Sequence, residues 1–296
     1  MSSHLQTFSD AAATEARDGI SGRDYDRLRA VIHAECGINL GIEKKTMLEI
    51  RVKRRLKALH LSSFKEYCEY LFGQRGMQEE IGHLIDVVST NKTDFFREPK
   101  HFEFLAQTAL PQWLIARGSA NHPFLVWSAG CSTGEEPYTL GIVLSEFAQT
   151  HPGFRFRILA SDISTIVLEK AVRGVYTEDT ARAIPAPLKR KYFLRSRDSV
   201  SPRVRVIPEV RSLIEFRRLN FMDSDYAMAE SADAIFCRNV IIYFDRPTQE
   251  KILGRLCRHL IPGGYLFVGH AETLHTMKLP LIPVAPSLYK RIDHGA

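Results

Sequence analysis

The sequence predicts an α/β protein: a mostly parallel, doubly wound sheet preceded by a small all-helical domain. Helical apolar spacing runs from about Arg23 to Ser89. After the turn-prone stretch Gly118 to Pro123, short apolar runs alternate with helical stretches, the alternation expected of a parallel sheet and its crossover helices. Two of the apolar runs end in polar residues, at the strand ends where open α/β sheets place their ligands.

In the helical part, Tyr25, Leu28, Val31 and Ile32 share one helix face, and Met47, Ile50, Leu56 and Leu59 share another. Ser62-Ser63 caps a third helix carrying Phe64, Tyr67, Leu71 and Phe72, and a fourth covers Met77 to Val88. Thr90 to Thr93 breaks the pattern, and a connecting helix follows from about Pro99 to Arg117. Strands are expected at Phe124–Trp127, Phe156–Ala160, Leu213–Phe216, Ala234–Cys237 and Tyr265–Val268, with helices from about Glu135 to Gln149 and Pro247 to Leu260. The segment Tyr192 to Val210 has short β-like pieces and turn residues, which suggests a small inserted antiparallel unit over about 190–212. The expected layout is therefore a disordered leader over 1–22, a helical domain over 23–90, a linker and helix over 91–118, and an α/β domain over 119–296.

Composition excludes some classes. No run approaches the ~20 apolar residues that span a bilayer, and Met1 to Gly22 lacks the apolar core of a secretory signal. The five cysteines show no metal-ligand spacing, so a reduced, cytoplasmic compartment and no bound metal are expected. The net charge is +6, and the excess is concentrated in Arg51, Lys53, Arg54, Arg55 and Lys57. This run suits either an acidic partner or a solvated helix face.

The chemistry-bearing strings lie in the α/β part. Val126 to Glu136 reads strand, small-residue turn, helix start, and its small residues let a ligand approach the backbone. The spacing is not GxGxxG, and Glu135 with Glu136 would repel a polyphosphate. The pair suits either a cationic ligand group or the helix dipole alone. Asp162, at the end of the next strand, can accept hydrogen bonds from the two ribose hydroxyls of an adenosine ligand or simply cap a helix. The strand Ala234–Cys237 delivers Arg238 and Asn239 at its end, with Tyr243 close behind.

These strings closely resemble the CheR-type chemotaxis receptor glutamate methyltransferases. The matching pieces are Thr90-Asn91-Lys92-Thr93-Asp94-Phe95-Phe96-Arg97, Ser132-Thr133-Gly134-Glu135-Glu136-Pro137-Tyr138, Ala160-Ser161-Asp162-Ile163, Leu219-Asn220, the run Phe236 to Phe244, and Gly269-His270-Ala271-Glu272. The resemblance implies a Rossmann-like S-adenosylmethionine-dependent methyltransferase domain carrying a small inserted antiparallel β-subdomain, behind an all-α N-terminal domain. It implies S-adenosylmethionine as cofactor, with S-adenosylhomocysteine as product. It further implies that Asn91, Thr93, Arg97, Glu135 or Glu136, Asp162, Asn220, Phe221, Arg238 and Asn239 surround that cofactor, and that Arg97, Arg238 and Tyr243 orient the reacting groups.

By the same resemblance the acceptor is a glutamate on the cytoplasmic domain of a methyl-accepting chemoreceptor, and the basic run from Arg51 to Lys57 docks its acidic helices. A monomer is expected, with no nucleic-acid partner and no insertion into a membrane. The Asn/Asp-Pro-Pro-Tyr/Phe string typical of nucleic-acid amine methylation is absent, and Cys237-Arg238-Asn239-Val240 occupies the corresponding strand end. In some relatives the β-subdomain docks a receptor's C-terminal peptide; here Pro202 and several serines stand where glycines often occur.

Overall fold

A computed structural model describes residues 19–117, 122–198 and 200–292. Most of the leader expected over 1–22 lies outside the described residues. The chain divides into two compact units, with the division between Ser89 and Thr90.

The first unit holds α1 (Gly22–Cys36), α2 (Lys45–Leu59), α3 (Phe64–Leu71) and α4 (Gly76–Val88). Each boundary has a local cause. Ser21 Oγ accepts from Asp24 N at 3.1 Å to start α1, and Gly37 ends it at φ 76°. At α3, Ser63 Oγ accepts from Glu66 N, while the Glu66 carboxylate reaches back to Ser62 N at 2.8 Å, a reciprocal cap. Tyr25, Leu28, Ile32, Leu48, Val52, Tyr67, Leu71 and Leu84 meet in a core fully closed to solvent. Each such side chain contributes about 1.5–3 kcal/mol of transfer free energy.

Two of the five cations of the expected docking face have partners within this unit. Arg55 donates two hydrogen bonds of 2.7 Å to Glu80, a carboxylate only 1% exposed that also accepts from Tyr67 Oη at 3.1 Å. Arg51 donates to the carbonyls of Val88 and Ser89. These two guanidiniums are committed inside the helical unit, since a buried carboxylate and helix-end carbonyls need partners. Lys53, Arg54 and Lys57 are exposed.

The second unit begins with α5 (Pro99–Phe104), which passes through a π-helical stretch, Leu105–Ala109, into α6 (Leu110–Arg117). The chain then runs β1 (Phe124–Ala129), α7 (Glu135–Thr150), β2 (Phe156–Asp162) and α8 (Thr165–Arg173). An insertion follows with β3 (Val175–Thr177), α9 (Ala186–Tyr192), β4 (Phe193–Arg195), β5 (Arg203–Val206) and α10 (Pro208–Arg211). The main sheet resumes with β6 (Ile214–Arg218), β7 (Ala232–Cys237), α11 (Arg246–Arg258), β8 (Leu260–Val268), β9 (Leu281–Ala285) and β10 (Leu288–Arg291).

The main sheet has seven strands in the order β6-β2-β1-β7-β8-β10-β9. Its first five are parallel, and β10 pairs antiparallel with both β8 and β9. The insertion makes a three-stranded antiparallel sheet, β3-β5-β4. Its third strand, Val175–Thr177, comes from upstream of the segment expected to form it. The central strands β1 and β7 are buried at every residue, as strands covered on both faces must be. Phe236 stacks on Phe267 at 4.0 Å between ring centroids. Asp233 accepts from Trp113 Nε1 and from Leu125 N, both at 2.8 Å, tying α6 and β1 to β7. No helix among the described residues is long and apolar enough to cross a membrane.

Candidate functional site

From β1 the chain steps outward to β2 and β6, then returns to β7 on the other side of β1. The order reverses between β1 and β7, so the crevice at their carboxyl ends is where such a sheet receives a ligand. Gly130 turns the chain at the end of β1 with φ +89°, and its N–H and that of Cys131 both donate to the Ser161 carbonyl. A Cβ on Gly130 would lie 2.5 Å from Val240 Cγ2, so only glycine lets the loops after β1 and β7 approach this closely.

Asp162 lies at the end of β2, nearly buried, and ties down the first loop. Its Oδ2 accepts from Ser132 N at 2.9 Å and its Oδ1 from Ser164 N at 3.0 Å. Ser132 Oγ donates to the Asn91 carbonyl at 2.9 Å, which brings the segment after Thr90 to the same loop. Leu219 N donates to the Asp162 carbonyl, and Asn220 follows with its Oδ1 capping Met222 N at 3.0 Å.

Arg238, at the end of β7, has a side chain only 2% exposed and lies between two carboxylates. Its Nη1 is 3.1 Å from Glu136 Oε2, and its Nη2 is 3.1 Å from Glu98 Oε2. Nη2 also donates to the Arg97 carbonyl. Ser128 Oγ donates to Glu136 at 2.7 Å. Burial pushes Glu98 up, but Arg238 and His270 together outweigh it and hold that carboxyl below its ordinary pKa. For Glu136 burial wins and the pKa is raised, although Arg238 and Ser128 favour the ionised form.

Glu135 differs from its neighbour. It is 4% exposed, and its carboxylate accepts from Thr133 Oγ1 at 2.6 Å. Burial pushes its pKa up to about 7, with Thr133 opposing. A buried carboxylate held mainly by a hydroxyl is a place where a cationic ligand group gains most.

The backbone here is held in sparsely populated conformations. Phe96, Glu98, Ser132 and Asn239 all have positive φ, between 49° and 59°. Each such residue costs on the order of 1–3 kcal/mol and persists only where its surroundings hold it. For Asn239 the holder is Glu272, whose buried carboxylate accepts from the N–H groups of Asn239, Val240 and Ile241, each at 2.9 Å. Burial still raises the pKa of Glu272 against those donors.

Direct bonds join Arg97, Glu136 and Arg238 in one group and Asn91, Ser132 and Asp162 in another, and Asn239 follows Arg238 in the chain. Part of that joining is through backbone: the Arg97 side chain itself donates to the Lys92 carbonyl at 3.1 Å. Thr93 is half-buried in the same segment. Phe221 packs largely in the core, edge-on to Tyr226 and Phe244. Tyr243 is half-buried at the end of a 3-10 turn, Ile241–Tyr243. Glu98, Ser128 and Glu272 had no role in the sequence reading, although Glu98 directly follows one of the quoted strings and Glu272 ends another.

The donor set can be tested against an adenosine cofactor with an amino-acid tail. A glycine turn admits close approach, carboxylates line the strand ends, and nothing among the described residues resembles a phosphate cradle; the residues fit a ligand bearing a diol, an ammonium and a sulfonium. A mostly parallel open sheet with this site fits the class of S-adenosylmethionine-dependent methyltransferases. Residues 91–285 match the family description "CheR methyltransferase, SAM binding domain", and residues 23–89 match "CheR methyltransferase, all-alpha domain". Chemotaxis protein methyltransferase 2 of Pseudomonas aeruginosa is 41% identical over 249 residues, covering 84% of this chain and 86% of the relative. The chemotaxis protein methyltransferase of Borreliella burgdorferi is 38% identical, covering 92% of this chain and 95% of the relative. That of Escherichia coli is 38% identical, with 86% of each chain covered. The chain belongs to the CheR methyltransferase family, and its cofactor is S-adenosylmethionine.

Proposed function

We propose that this protein methylates glutamate side chains of a chemoreceptor's cytoplasmic domain, forming glutamate methyl esters. The observation that carries the reading is the buried Glu136–Arg238–Glu98 chain at the sheet's switch point, beside the less fully compensated Glu135. Bound S-adenosylmethionine supplies an electrophilic methyl on a sulfonium, which a carboxylate oxygen of the acceptor takes as the C–S bond electrons stay on sulfur.

An exposed glutamate ionises near pH 4.3, so at neutral pH it needs no general base. The chain's task is to position and desolvate two opposite charges that cancel during the reaction. Glu135 binds the cofactor's ammonium, because Glu136 is already neutralised by Arg238. Asp162 and the loop after β6 hold the nucleoside end. Arg238, fixed between two carboxylates, keeps Glu136 and the Arg97 backbone in place, while the Arg97 side chain and Tyr243 orient the incoming carboxylate. Lys53, Arg54 and Lys57 attract the acidic receptor helices.

Incubation with methyl-labelled cofactor and candidate receptors tests the reading. Base treatment of the labelled receptor should release methanol, the mark of a carboxyl ester. A base-stable label, or label appearing in RNA instead, would overturn it.

A further inference from the structure

Glu98, His101 and His270 bring one potential ligand atom each within 4.8 Å of one another. His101 Nδ1 is 3.4 Å from Glu98 Oε2, and His270 Nε2 is 3.9 Å from the same oxygen. Around a tetrahedral ion with bonds of about 2.1 Å, neighbouring ligand atoms are roughly 3.4 Å apart, so the first spacing already fits, and the other two, within 4.8 Å, require side-chain rotation.

The bonding around these atoms is incomplete. His101 is 3% exposed, yet neither of its ring nitrogens makes a hydrogen bond of good geometry, whereas Glu98 Oε2 already has the Arg238 guanidinium at 3.1 Å. Buried polar atoms normally have partners, and an imidazole without a well-formed one, 3.4 Å from a carboxylate oxygen, is free to ligate a cation. The His270 side chain is 58% exposed and provides the way in from solvent.

We propose that Glu98, His101 and His270 form a binding site for a divalent transition-metal cation, with Zn2+ as the fitting ion. Two imidazoles and a carboxylate make the mixed nitrogen and oxygen set that Zn2+ accepts, with a water completing the tetrahedron. The cation competes with Arg238 for Glu98 Oε2. Occupancy therefore loosens the guanidinium from one of its two anchors and slows methylation, a consequence that rests on the function proposed above. The binding itself does not.

Calorimetric titration of Zn2+ into the chelator-stripped full chain, without cofactor or receptor, tests the site. One equivalent is expected, bound at least about tenfold more weakly by His270→Ala, an exposed residue whose loss spares the fold, and by His101→Gln. Co2+ in place of zinc should give the visible bands of nitrogen and oxygen ligation without a thiolate charge-transfer band. All five cysteines are buried, so such a band would overturn the assignment. So would no stoichiometric uptake, or unchanged affinity in His270→Ala, which would mean an adventitious ion only. If zinc binds as expected but inhibits His270→Ala and the parent equally, the Arg238 consequence fails while the site stands.

Discussion

Glu135 and Glu136 are adjacent in the chain, yet their carboxylates meet different partners. Arg238 neutralises Glu136, whereas Glu135 is left with the Thr133 hydroxyl and a pKa pushed up to about 7 by burial. The ionised form of Glu135 is the one that binds an ammonium, so cofactor affinity is expected to rise between pH 6 and pH 8. Glu135→Gln should flatten that rise; calorimetry at several pH values measures it, and an unchanged slope would assign the ammonium to another group. The stability sign is equally definite. Because the folded pKa exceeds the ordinary value, the stabilising contribution of Glu135 is full below about pH 4.5 and lost as pH rises through 7. Without cofactor, Glu135→Gln should therefore gain thermal stability over the parent at pH 8 but not at pH 4. Arg97→Ala should lower single-turnover rate by about 100-fold through misplacement of the acceptor, with a smaller loss of cofactor affinity. Equal losses would make Arg97 simply a binding residue. The positions of the paired glutamates and Asp162, at a helix start and a strand end, were legible in the sequence from the strand–helix alternation, but what they bind was not, since a cap or the helix dipole explains such acids equally well. Glu98 was not, because its place depends on a left-handed backbone and on an arginine far away in the chain.

At the scale of elements, the loops after β1 and β7 lock together, and each has an identifiable pin. Gly130→Ala brings a Cβ to 2.5 Å from Val240 at an unfavourable φ. The strain is of the order of 1–3 kcal/mol, so cofactor affinity should fall about tenfold or more while circular dichroism stays near native. Glu272 pins the other loop, and Glu272→Ala would leave several buried N–H groups without an acceptor. A loss on the order of 3 kcal/mol is expected in urea denaturation, and a loss below 1 kcal/mol would show that water replaces the carboxylate. The strand–helix alternation predicted the parallel part of the sheet, because buried strands read as continuous apolar runs. The β9–β10 hairpin escaped that reading: Pro280 and Pro283 disguise β9, which sits at the sheet edge where proline is tolerated. The strand Val175–Thr177 is too short for any periodicity to show.

For the whole molecule, charge and topology decide what can be reached. The basic run read from the sequence as five equivalent cations, but burial divides it: Arg51 and Arg55 satisfy internal groups, while Lys53, Arg54 and Lys57 face solvent. Sequence spacing could not make that division, because Glu80 lies 25 residues from Arg55. Reversing the three exposed charges should slow methylation of an intact receptor about tenfold at low salt and flatten its salt dependence. Unchanged kinetics with the receptor would reduce this face to solvated surface.

The crevice also straddles the seam between β1 and β7, where Asp233 bonds to Leu125 across 108 residues of chain. Loop closure over such a span is late and entropically costly. A nascent chain that has finished β1, β2 and β6 still has only half of the binding crevice. Cofactor capture during synthesis thus reports that the central sheet has closed, which makes the ligand a natural probe of completed folding.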